Sequence, residues 1–378
     1  MVLKDLSEAN PEIITVQISD IARGGKGVAR EENGRVVFVP FTAPGDVVRV
    51  WVTERNKRYL DAQAIEIIKA SSLRCTPPCP VFTKCGGCQW QHLPYQLQWE
   101  KKNGGVKHAL ERMGISPPED WEEHPADNQY HYRNRVQLRG FKEDLGFFAA
   151  RSHTIIPISV CPIAKEEINL AFDKIRSEAT KFTEAYKVEI TTSEIGGVTY
   201  LYNSPHATGG FRQVNDEQNN KLRQLVFKEV PPNVELFDLF GGNGNLSLAL
   251  ADTVSAIHCV DVFAPTEVTS SLPSNYFFHR CSVHSWLLKQ AAENEPLKKH
   301  RVAILDPPRI GLGETFNRVA SSLEHLGVTK IITIGCDPDS WVKDVSRFVR
   351  RGWIFRKAAL FDFFPQTPHV ESVAILSI

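Results

Sequence analysis

The sequence predicts a multidomain α/β protein with an N-terminal small OB-like β-barrel, an α+β middle domain that holds a metal, and a C-terminal Rossmann-like domain. Three observations support this fold class: short β-rich runs open the chain, a cysteine cluster follows them, and strands alternate with helices towards the end. A length of 378 residues also exceeds what one hydrophobic core usually organises. The expected domain bounds are 1–72, 73–205 and 206–378.

Composition excludes several classes of protein. Hydrophobic residues make up 42% and charged residues 23% of the chain, which excludes a disordered protein. No apolar run is long enough for a membrane helix, and the acidic N-terminal stretch does not resemble a secretory signal, so we expect a cytoplasmic protein without a membrane partner. Equal numbers of basic and acidic residues, 44 each, neither support nor exclude a nucleic-acid partner, because a groove can concentrate basic side chains locally.

The first part of the chain predicts a small closed β-barrel. Its β-rich runs between residues 12 and 68 are broken by turn signals at Gly24-Gly25, Asn33-Gly34 and Pro44-Gly45. A basic and aromatic stretch over 55–59 has the composition that contacts a phosphate backbone. A solvated hairpin tip explains that stretch about as well.

The middle of the chain predicts an α+β domain. Residues 94–113 have helical spacing, although Gly104-Gly105 weakens the case for one unbroken helix, and residues 130–202 read as strands around one helix. Basic and aromatic residues alternate from Tyr130 to Arg135 and recur at Arg139. Such side chains could stack on bases and contact phosphates, although an ordinary exposed strand explains them nearly as well.

The cysteines predict a metal site. Four of the eight cysteines fall within fourteen residues, and in a reducing compartment such a cluster indicates metal ligands before disulfides. Three of them lie in a loop rich in proline and glycine, and a fourth thiol comes much later. The four candidate ligands are Cys79, Cys85, Cys88 and Cys161. Thiolates in this number hold either zinc or an iron-sulfur cluster, and spacing alone slightly favours zinc.

The last part of the chain predicts a parallel, doubly wound sheet. A helix over 216–227 leads to the strand VELFDLF, a glycine-rich turn, a helix over NLSLALADT and the strand AIHCVDV. The turn begins at Asp238 and lacks the full phosphate-binding glycine fingerprint. Asp261, about twenty residues on, is placed to accept hydrogen bonds from ribose hydroxyls. The pattern suits S-adenosylmethionine, and a purely structural tight turn is the alternative.

A thiol and a carboxylate follow at the ends of later strands. Cys336 comes directly after the apolar run KIITIG, and Glu371 precedes the final strand. A lone buried cysteine is usually structural. A methyl donor, a nucleophilic thiol and a base nevertheless solve one chemical problem, because carbon 5 of uracil accepts a methyl group only after a thiolate has added to carbon 6. The target base must first leave its stack.

Four motifs in order carry a resemblance to a known family. They are Phe211-x-Gln213-x-Asn215, the glycine turn from Asp238 to Asn245, Asp306-Pro307-Pro308-Arg309, and Cys336-x-Pro338 with the later segment from Phe364 to Glu371. With these motifs the chain resembles the RNA uracil-5-methyltransferase family over nearly its whole length. It looks most like the branch with a TRAM domain and an iron-sulfur cluster that methylates 23S ribosomal RNA.

The resemblance implies roles for particular residues. Cys336 would be the nucleophile and Glu371 the base that removes the proton from carbon 5. The implied contacts to S-adenosylmethionine are Gln213, Phe240, Asn245, Asp261 and Asp306. The four cysteines 79, 85, 88 and 161 would hold a 4Fe-4S cluster, and Cys75 has no assigned role. The implied protein is a monomeric RNA methyltransferase with a class I methyltransferase domain.

Some positions depart from the family pattern. The nucleophile is flanked by Gly335 and Asp337 where the family usually has Ser and Asn, and a carboxylate beside the thiol is expected to raise its pKa. The stretch over 262–276 is short where the family usually has a longer helix, and Cys281 stands where a polar residue is common. The shortened stretch keeps open a non-catalytic RNA-binding or assembly protein. Two further alternatives are a tRNA uracil-5-methyltransferase and a methyltransferase with another target.

Overall fold

The structure is a computed structural model that describes residues 12–193, 197–204, 212–263, 272–293 and 300–378. The described chain packs as two units, which are taken in turn below. The first comprises Met1–Gly105, Asp127–His206 and Phe364–Pro368, and the second comprises Val106–Ala126, Ala207–Phe363 and His369–Ile378. None of the helices in the described ranges has the length and apolar character needed to cross a membrane.

A six-stranded sheet opens the first unit. Its strands lie in the order β1-β5-β6-β4-β3-β2 and enclose a core of small aliphatic side chains such as Val37, Val48 and Leu60. The strands are β1 (Ile13–Gln17), β2 (Asp20–Ile21), β3 (Gly27–Arg30), β4 (Val36–Val39), β5 (Val47–Arg55) and β6 (Tyr59–Lys69).

This sheet closes on itself, as the sequence predicts for a small barrel. Its two outermost strands, β1 and β2, are consecutive pieces of one bent strand. At the bend, the Ile18 amide donates to the Asp46 carbonyl on one side, and the Ser19 amide donates to the Val28 carbonyl on the other, both at 2.8 Å. The bend therefore leaves neither edge open to solvent.

A cysteine-bearing loop and a long helix follow the barrel. The loop packs on the barrel through Trp90, whose indole nitrogen donates to the Gly25 carbonyl at 3.1 Å. The helix, α1 (Tyr95–Arg112), confirms the helical spacing of this stretch and runs unbroken through Gly104 and Gly105. The next strand, β7 (Asp120–His124), belongs to the sheet of the second unit.

A second sheet of the first unit is antiparallel and has five strands in the order β10-β9-β8-β11-β12. Its core is covered by two short helices, whose Ile168, Phe172 and Ile175 pack against strand residues such as Leu138 and Val188. The elements are β8 (Arg135–Phe141), β9 (Asp144–Phe148), β10 (Ile155–Pro157), α2 (Glu166–Leu170), α3 (Phe172–Ala179), β11 (Tyr186–Thr192) and β12 (Val198–Tyr202). The α+β character expected for this stretch is confirmed.

The second unit is built on an eight-stranded sheet in the order β15-β14-β13-β16-β17-β19-β18-β7. The first five strands in this order are parallel, and β19 runs antiparallel between β17 and β18. Strands and helices alternate along the chain as α4 (Asp216–Glu229), β13 (Glu235–Leu239), β14 (Ala256–Val260), β15 (Tyr276–His279), α5 (Val283–Glu293), β16 (Arg301–Leu305), α6 (Phe316–His325), β17 (Val328–Gly335), α7 (Pro338–Arg350), β18 (Ile354–Phe361) and β19 (Glu371–Ser377).

This unit confirms a Rossmann-like domain and corrects two details. The helix expected over NLSLALADT is instead a series of turns with a short 3-10 segment, Leu248–Leu250. The sheet is also not purely parallel, because β19 is reversed and β7 is added beyond β18. Burial on both faces explains the apolar strands: all five residues of β16 are buried.

Candidate active site

The predicted site residues of the second unit gather at one edge of its sheet. Parallel strands end at the same edge, and ligands of such sheets bind beyond those carboxyl ends. Phe240 follows β13, Asp261 follows β14, and Asp306 follows β16. Backbone hydrogen bonds align the ends of these strands: the Phe240 amide donates to the Val260 carbonyl, and the Asp306 amide donates to the Leu239 carbonyl.

The glycine-rich turn after β13 has a backbone that requires its glycines. Phe240 has a φ of 64°, which is left-handed and unusual for a side chain of this size. A Cβ on Gly241 would lie 2.6 Å from the Asp238 carboxyl carbon, and a Cβ on Gly244 would lie 2.2 Å from the Tyr276 hydroxyl. The turn is therefore pressed against the end of the sheet, and its outer face is left as bare backbone.

Three carboxylates concentrate negative charge at this turn. Asp238 is fully buried in β13, and burial raises its pKa to about 6 although Ser247 donates a hydrogen bond to it at 2.5 Å. Burial also raises the pKa of Asp306, and the charges of Asp238 and Asp261 raise it further. Asp261 accepts from the Gly242 amide at 3.1 Å. A cationic ligand would relieve this mutual repulsion, which suits a sulfonium compound.

Two further predicted residues lie beside the turn. Asn245 forms a reciprocal pair with Asn219 of α4, in which each amide nitrogen donates to the other side chain's oxygen, at 2.8 and 3.0 Å. Gln213 is buried just before α4, whose first turn is capped by the Asn215 side chain.

Phe211, the first residue of the motif that contains Gln213, lies outside the described residues, as does most of the shortened segment after Asp261. Cys281 follows β15 and is half-buried.

Cys336 and Glu371 face each other across two neighbouring strands. The antiparallel pairing of β17 with β19 ends with Gly335 opposite Ser372. Continuing that register by one residue places Cys336 opposite Glu371. Residues 35 positions apart in the sequence thus meet at the same edge of the sheet as the glycine turn.

The thiol lies among charged groups of both signs. Burial raises the pKa of Cys336 to about 11, with the Glu371 carboxylate as the next cause. Arg309 opposes both effects through its positive charge and a side-chain hydrogen bond to the thiol. Burial likewise raises the pKa of Glu371 well above its usual range; Asp306 raises it further and Arg309 lowers it. Arg309 therefore lowers the pKa of both a thiol and a carboxyl group that would repel each other when ionised.

Asp337 does not act on the thiol as the sequence suggests. Its carboxylate accepts hydrogen bonds from the amides of Asp339 and Ser340, at 3.1 and 3.0 Å, and so caps the N-terminus of α7. Burial and the carboxylates of Glu371 and Asp306 raise the pKa of Cys336. The carboxylates that raise this pKa therefore come from other strands, and not from Asp337 as the sequence suggests.

In the first unit, the four predicted metal ligands line one pocket. Cys79, Cys85, Cys88 and Cys161 border about 500 Å³ of empty space, its solvent-facing mouth included. Burial raises the pKa of Cys88 to about 12, and the neighbouring thiols Cys161, Cys85 and Cys79 raise it further. Burial raises the pKa of Cys161 to about 11 as well. No three His, Cys, Asp or Glu side chains in the described ranges are drawn together into a preformed metal site.

The predicted basic surfaces are partly occupied by ion pairs. Arg55 pairs with Glu12, and Tyr59 packs edge-on against Phe38 at 5.6 Å. Arg135 donates to Glu189 at 2.7 Å, and the pair is almost fully buried. Arg135 therefore has a structural role, whereas Arg55, Lys57, Arg58 and Tyr59 are exposed.

Several residues of the site do not stand out in the sequence. Asn219, Ser247 and Tyr276 position the glycine turn from separate elements, and only the fold brings them together. The role of Arg309 beside the thiol could have been suspected from its motif, since it lies three residues after Asp306. No local pattern marks the other three.

Comparison with known proteins agrees with this geometry. Residues 10–65 match the TRAM domain, and residues 296–378 match the family described as tRNA (Uracil-5-)-methyltransferase. An uncharacterized RNA methyltransferase of Bdellovibrio bacteriovorus is 30% identical, over 97% of this chain and 95% of the relative. A 23S rRNA (uracil(1939)-C(5))-methyltransferase of Chromohalobacter salexigens is 28% identical, over 96% and 89%.

A solved structure shares the fold. The tRNA (uracil-54, C5)-methyltransferase of Pyrococcus abyssi, crystallised with S-adenosyl-L-homocysteine, superposes with a TM-score of 0.70. It is 21% identical, and the match covers 96% of this chain and all of the other. With the motifs, the matched domains and the full-length relatives together, the chain belongs to the RNA uracil-5-methyltransferase family.

Proposed function

We propose that this chain methylates carbon 5 of one uridine in structured RNA, with 23S ribosomal RNA as the preferred substrate and Cys336 and Glu371 as the catalytic residues. The observation that carries the proposal is the juxtaposition of these two side chains across β17 and β19, with Arg309 beside both. Transfer to nitrogen or oxygen would need no such thiol. The rRNA preference rests on the full-length similarity to relatives named as 23S rRNA (uracil(1939)-C(5))-methyltransferases.

In this mechanism Cys336 acts as its thiolate. The sulfur forms a bond to carbon 6 of the extruded uracil, and the electrons of the C5–C6 double bond move into an enolate. Arg309 stabilises the thiolate before attack through its charge and hydrogen bond. S-adenosylmethionine, when bound, would supply an electrophilic methyl group: carbon 5 of the enolate would take it up as the sulfonium–methyl bond breaks and S-adenosylhomocysteine leaves.

Glu371 completes the reaction. Its carboxylate removes the proton from carbon 5, the electrons of that bond restore the C5–C6 double bond, and the carbon–sulfur bond breaks to regenerate the Cys336 thiolate. Burial raises the pKa of Glu371, which makes its carboxylate a stronger proton acceptor than a solvated one. The adduct therefore resolves only when the proton has an acceptor at this position.

The residues of the glycine turn fit S-adenosylmethionine. Asp261 would accept from the ribose hydroxyls, and the negative charge of Asp306 would attract the sulfonium centre. The bare backbone after Phe240 would approach the ligand closely. Gln213 and Asn245 complete the proposed contacts, and Asn219 would hold the Asn245 amide in place.

The thiols of the first unit fit a 4Fe-4S cluster. The four cysteines that line one pocket supply the thiolate ligand set that such clusters use. Ionised together they would repel one another strongly, and a bound metal group removes that cost. The proposed role is to fix the loop and the α+β sheet around the cluster, because the methyl transfer consumes no electron.

The proposed domain bounds of 1–72, 73–205 and 206–378 describe sequence modules. The TRAM match supports the first bound, and the family match over 296–378 lies inside the last module. The packing units interleave these modules, since residues 106–126 join the sheet of the second unit.

The deciding experiment follows labelled methyl from S-adenosylmethionine into unmodified ribosomal RNA and, separately, into unmodified transfer RNA. We expect label in ribosomal RNA that nucleoside analysis identifies as 5-methyluridine. Label in transfer RNA alone would reassign the substrate while keeping the reaction. Binding of RNA without methyl transfer, and without calorimetric binding of S-adenosylmethionine, would favour the non-catalytic alternative.

A further inference from the structure

Ile310 is exposed to an unusual degree for a large apolar side chain. Its exposed fraction is 79%, and among the large apolar residues of the described ranges only Phe263, at 86%, exceeds it. Phe263 and Ile310 both lie just beyond the carboxyl ends of strands, β14 and β16, at the edge that holds the proposed site. Single exposed apolar residues are common, so exposure alone assigns no function.

The turn that carries Ile310 is held firmly by its neighbours. The Gly311 amide closes the turn by donating to the Pro308 carbonyl at 2.7 Å. On one side of Ile310, the Arg309 carbonyl accepts from the Ser340 hydroxyl of α7 at 2.7 Å. On the other side, the Leu312 amide donates to the Asp344 carboxylate of α7 at 2.7 Å.

The glycine of this turn, Gly311, shows that the turn packs closely against α7. Gly311 has a φ of 67°, and a Cβ there would lie 2.4 Å from an Asp344 carboxylate oxygen. The bulky residue of the turn therefore points to solvent while its backbone is bonded to α7 on both sides. Ile310 is displayed by a rigid frame, which distinguishes it from an apolar residue on a frayed loop.

The same frame holds the proposed nucleophile. Arg309, the residue before Ile310, hydrogen-bonds the Cys336 thiol. The helix α7, to which the turn is bonded, begins at Pro338, two residues after Cys336. The position of Ile310 is thus fixed relative to the atom that would attack the uracil.

We propose that Ile310 packs against the RNA base next to the target uridine and covers the base face that is bared when the uridine leaves its stack. This inference rests on the proposed function. Extruding a base costs a few kcal/mol of lost stacking. Proteins that unstack base steps commonly insert an apolar side chain at the gap, which buries the bared face again. Ile310 is a rigidly held apolar group that directly follows Arg309, the residue whose charge acts on the reacting thiol, and this position suits that role.

The test compares Ile310→Ser with two controls. Ile310→Met keeps an apolar side chain at the turn. Ile354→Ser removes the same residue type from the start of β18, at the opposite edge of the same sheet, where it is 46% exposed. Affinity for unmodified ribosomal RNA transcript is measured by filter retention, so that it is read independently of catalysis. Methyl incorporation and calorimetric binding of S-adenosylmethionine are measured on the same protein.

We expect Ile310→Ser to weaken RNA binding about tenfold, the effect of exposing one aliphatic side chain. Ile310→Met and Ile354→Ser should bind like the wild type, and S-adenosylmethionine affinity should be unchanged in all three. The difference between wild type and Ile310→Ser should vanish on a transcript with abasic nucleotides on both sides of the mapped target uridine, because no neighbouring base face remains to be covered.

Two results would overturn the inference: RNA affinity of Ile310→Ser within about twofold of wild type, or an equal loss on the intact and the abasic transcripts. A parallel fall in S-adenosylmethionine affinity would also count against it, since it would mean that the turn only supports the fold. A wild-type chain that binds RNA but forms no 5-methyluridine would refute the proposed function and this inference with it, whereas a chain that forms 5-methyluridine while Ile310→Ser binds RNA like the wild type would overturn this inference alone.

Discussion

Thiols occur in two contrasting environments in this protein. In the cysteine pocket, formed by 79, 85, 88 and 161, neighbouring thiols raise the pKa values of Cys85, Cys88 and Cys161, most clearly that of Cys88. Cys336 instead lies beside an arginine and a carboxyl group, which act on its pKa in opposite directions. The difference teaches that burial alone does not define the role of a cysteine. A set of thiols around empty space suits a metal, whereas one thiol between charges of both signs suits covalent chemistry.

The largest expected effect separates Cys336 from every other thiol. Cys336→Ala should reduce methyl transfer by at least about 10⁴-fold, because no other group can make the adduct at carbon 6. The measurement is single-turnover incorporation of labelled methyl. Cys281→Ser is the matched control, since Cys281 is a half-buried thiol of the same unit. Equal activity in the two variants would remove the distinction between the two environments.

The next prediction concerns the cysteine pocket. Cys88→Ser should lose the bound iron and the brown colour of anaerobically purified protein, because one of four ligands is missing. Cys75→Ser should retain both, since Cys75 is exposed and does not line the pocket. Metal analysis and visible absorbance give the readout. One zinc and no iron in the wild type would contradict the proposed iron-sulfur cluster. The four cysteines would then hold a different metal.

A smaller effect is expected on the titration of Cys336. Glu371→Gln removes a negative charge that raises the pKa of the thiol, so alkylation of Cys336 should become several-fold faster near pH 8. Arg309→Gln should slow it, because the cation that lowers this pKa is lost. In the wild type the rate should climb with pH until the thiol titrates near pH 11. Mass spectrometry follows Cys281 in the same samples as an internal control. Identical profiles for all three proteins would contradict the charge arrangement.

The smallest expected effect is that of Asp337→Asn. Asparagine caps a helix as well as aspartate does, and the Asp337 charge is not among the groups that raise the pKa of Cys336. The rate of methyl transfer should therefore change by less than about twofold. A large gain in rate would instead support the expectation drawn from the sequence, that the Asp337 carboxylate raises the pKa of the Cys336 thiol and slows its attack.

The sequence was informative where function depends on strand ends. Asp261, Asp306 and Cys336 each follow an apolar run, and a parallel sheet necessarily brings such positions to one edge. The strands of the barrel were likewise marked by turn signals. These features are local, or follow from topology alone.

Other features could not be predicted because they depend on contacts between distant segments. β7 is rich in acidic residues and has no strand pattern; it is stabilised by Lys357, which pairs with Asp120 and Glu122. Gly104 and Gly105 weaken a helix by intrinsic propensity, yet α1 continues through them. The helix expected after the glycine turn is replaced by turns, which shows packing prevailing over local preference.

The pairing of β7 has a consequence for how the protein is made. Lys357 follows Glu122 by 235 residues, and their side chains join the edge strand to β18. At ordinary rates of about 5 to 20 residues per second, a ribosome needs on the order of tens of seconds to synthesise that interval. The acidic segment at 120–124 therefore leaves the ribosome long before its partner exists. Its charge keeps it soluble during the wait, and the sheet gains its last strand only when the final residues have been translated.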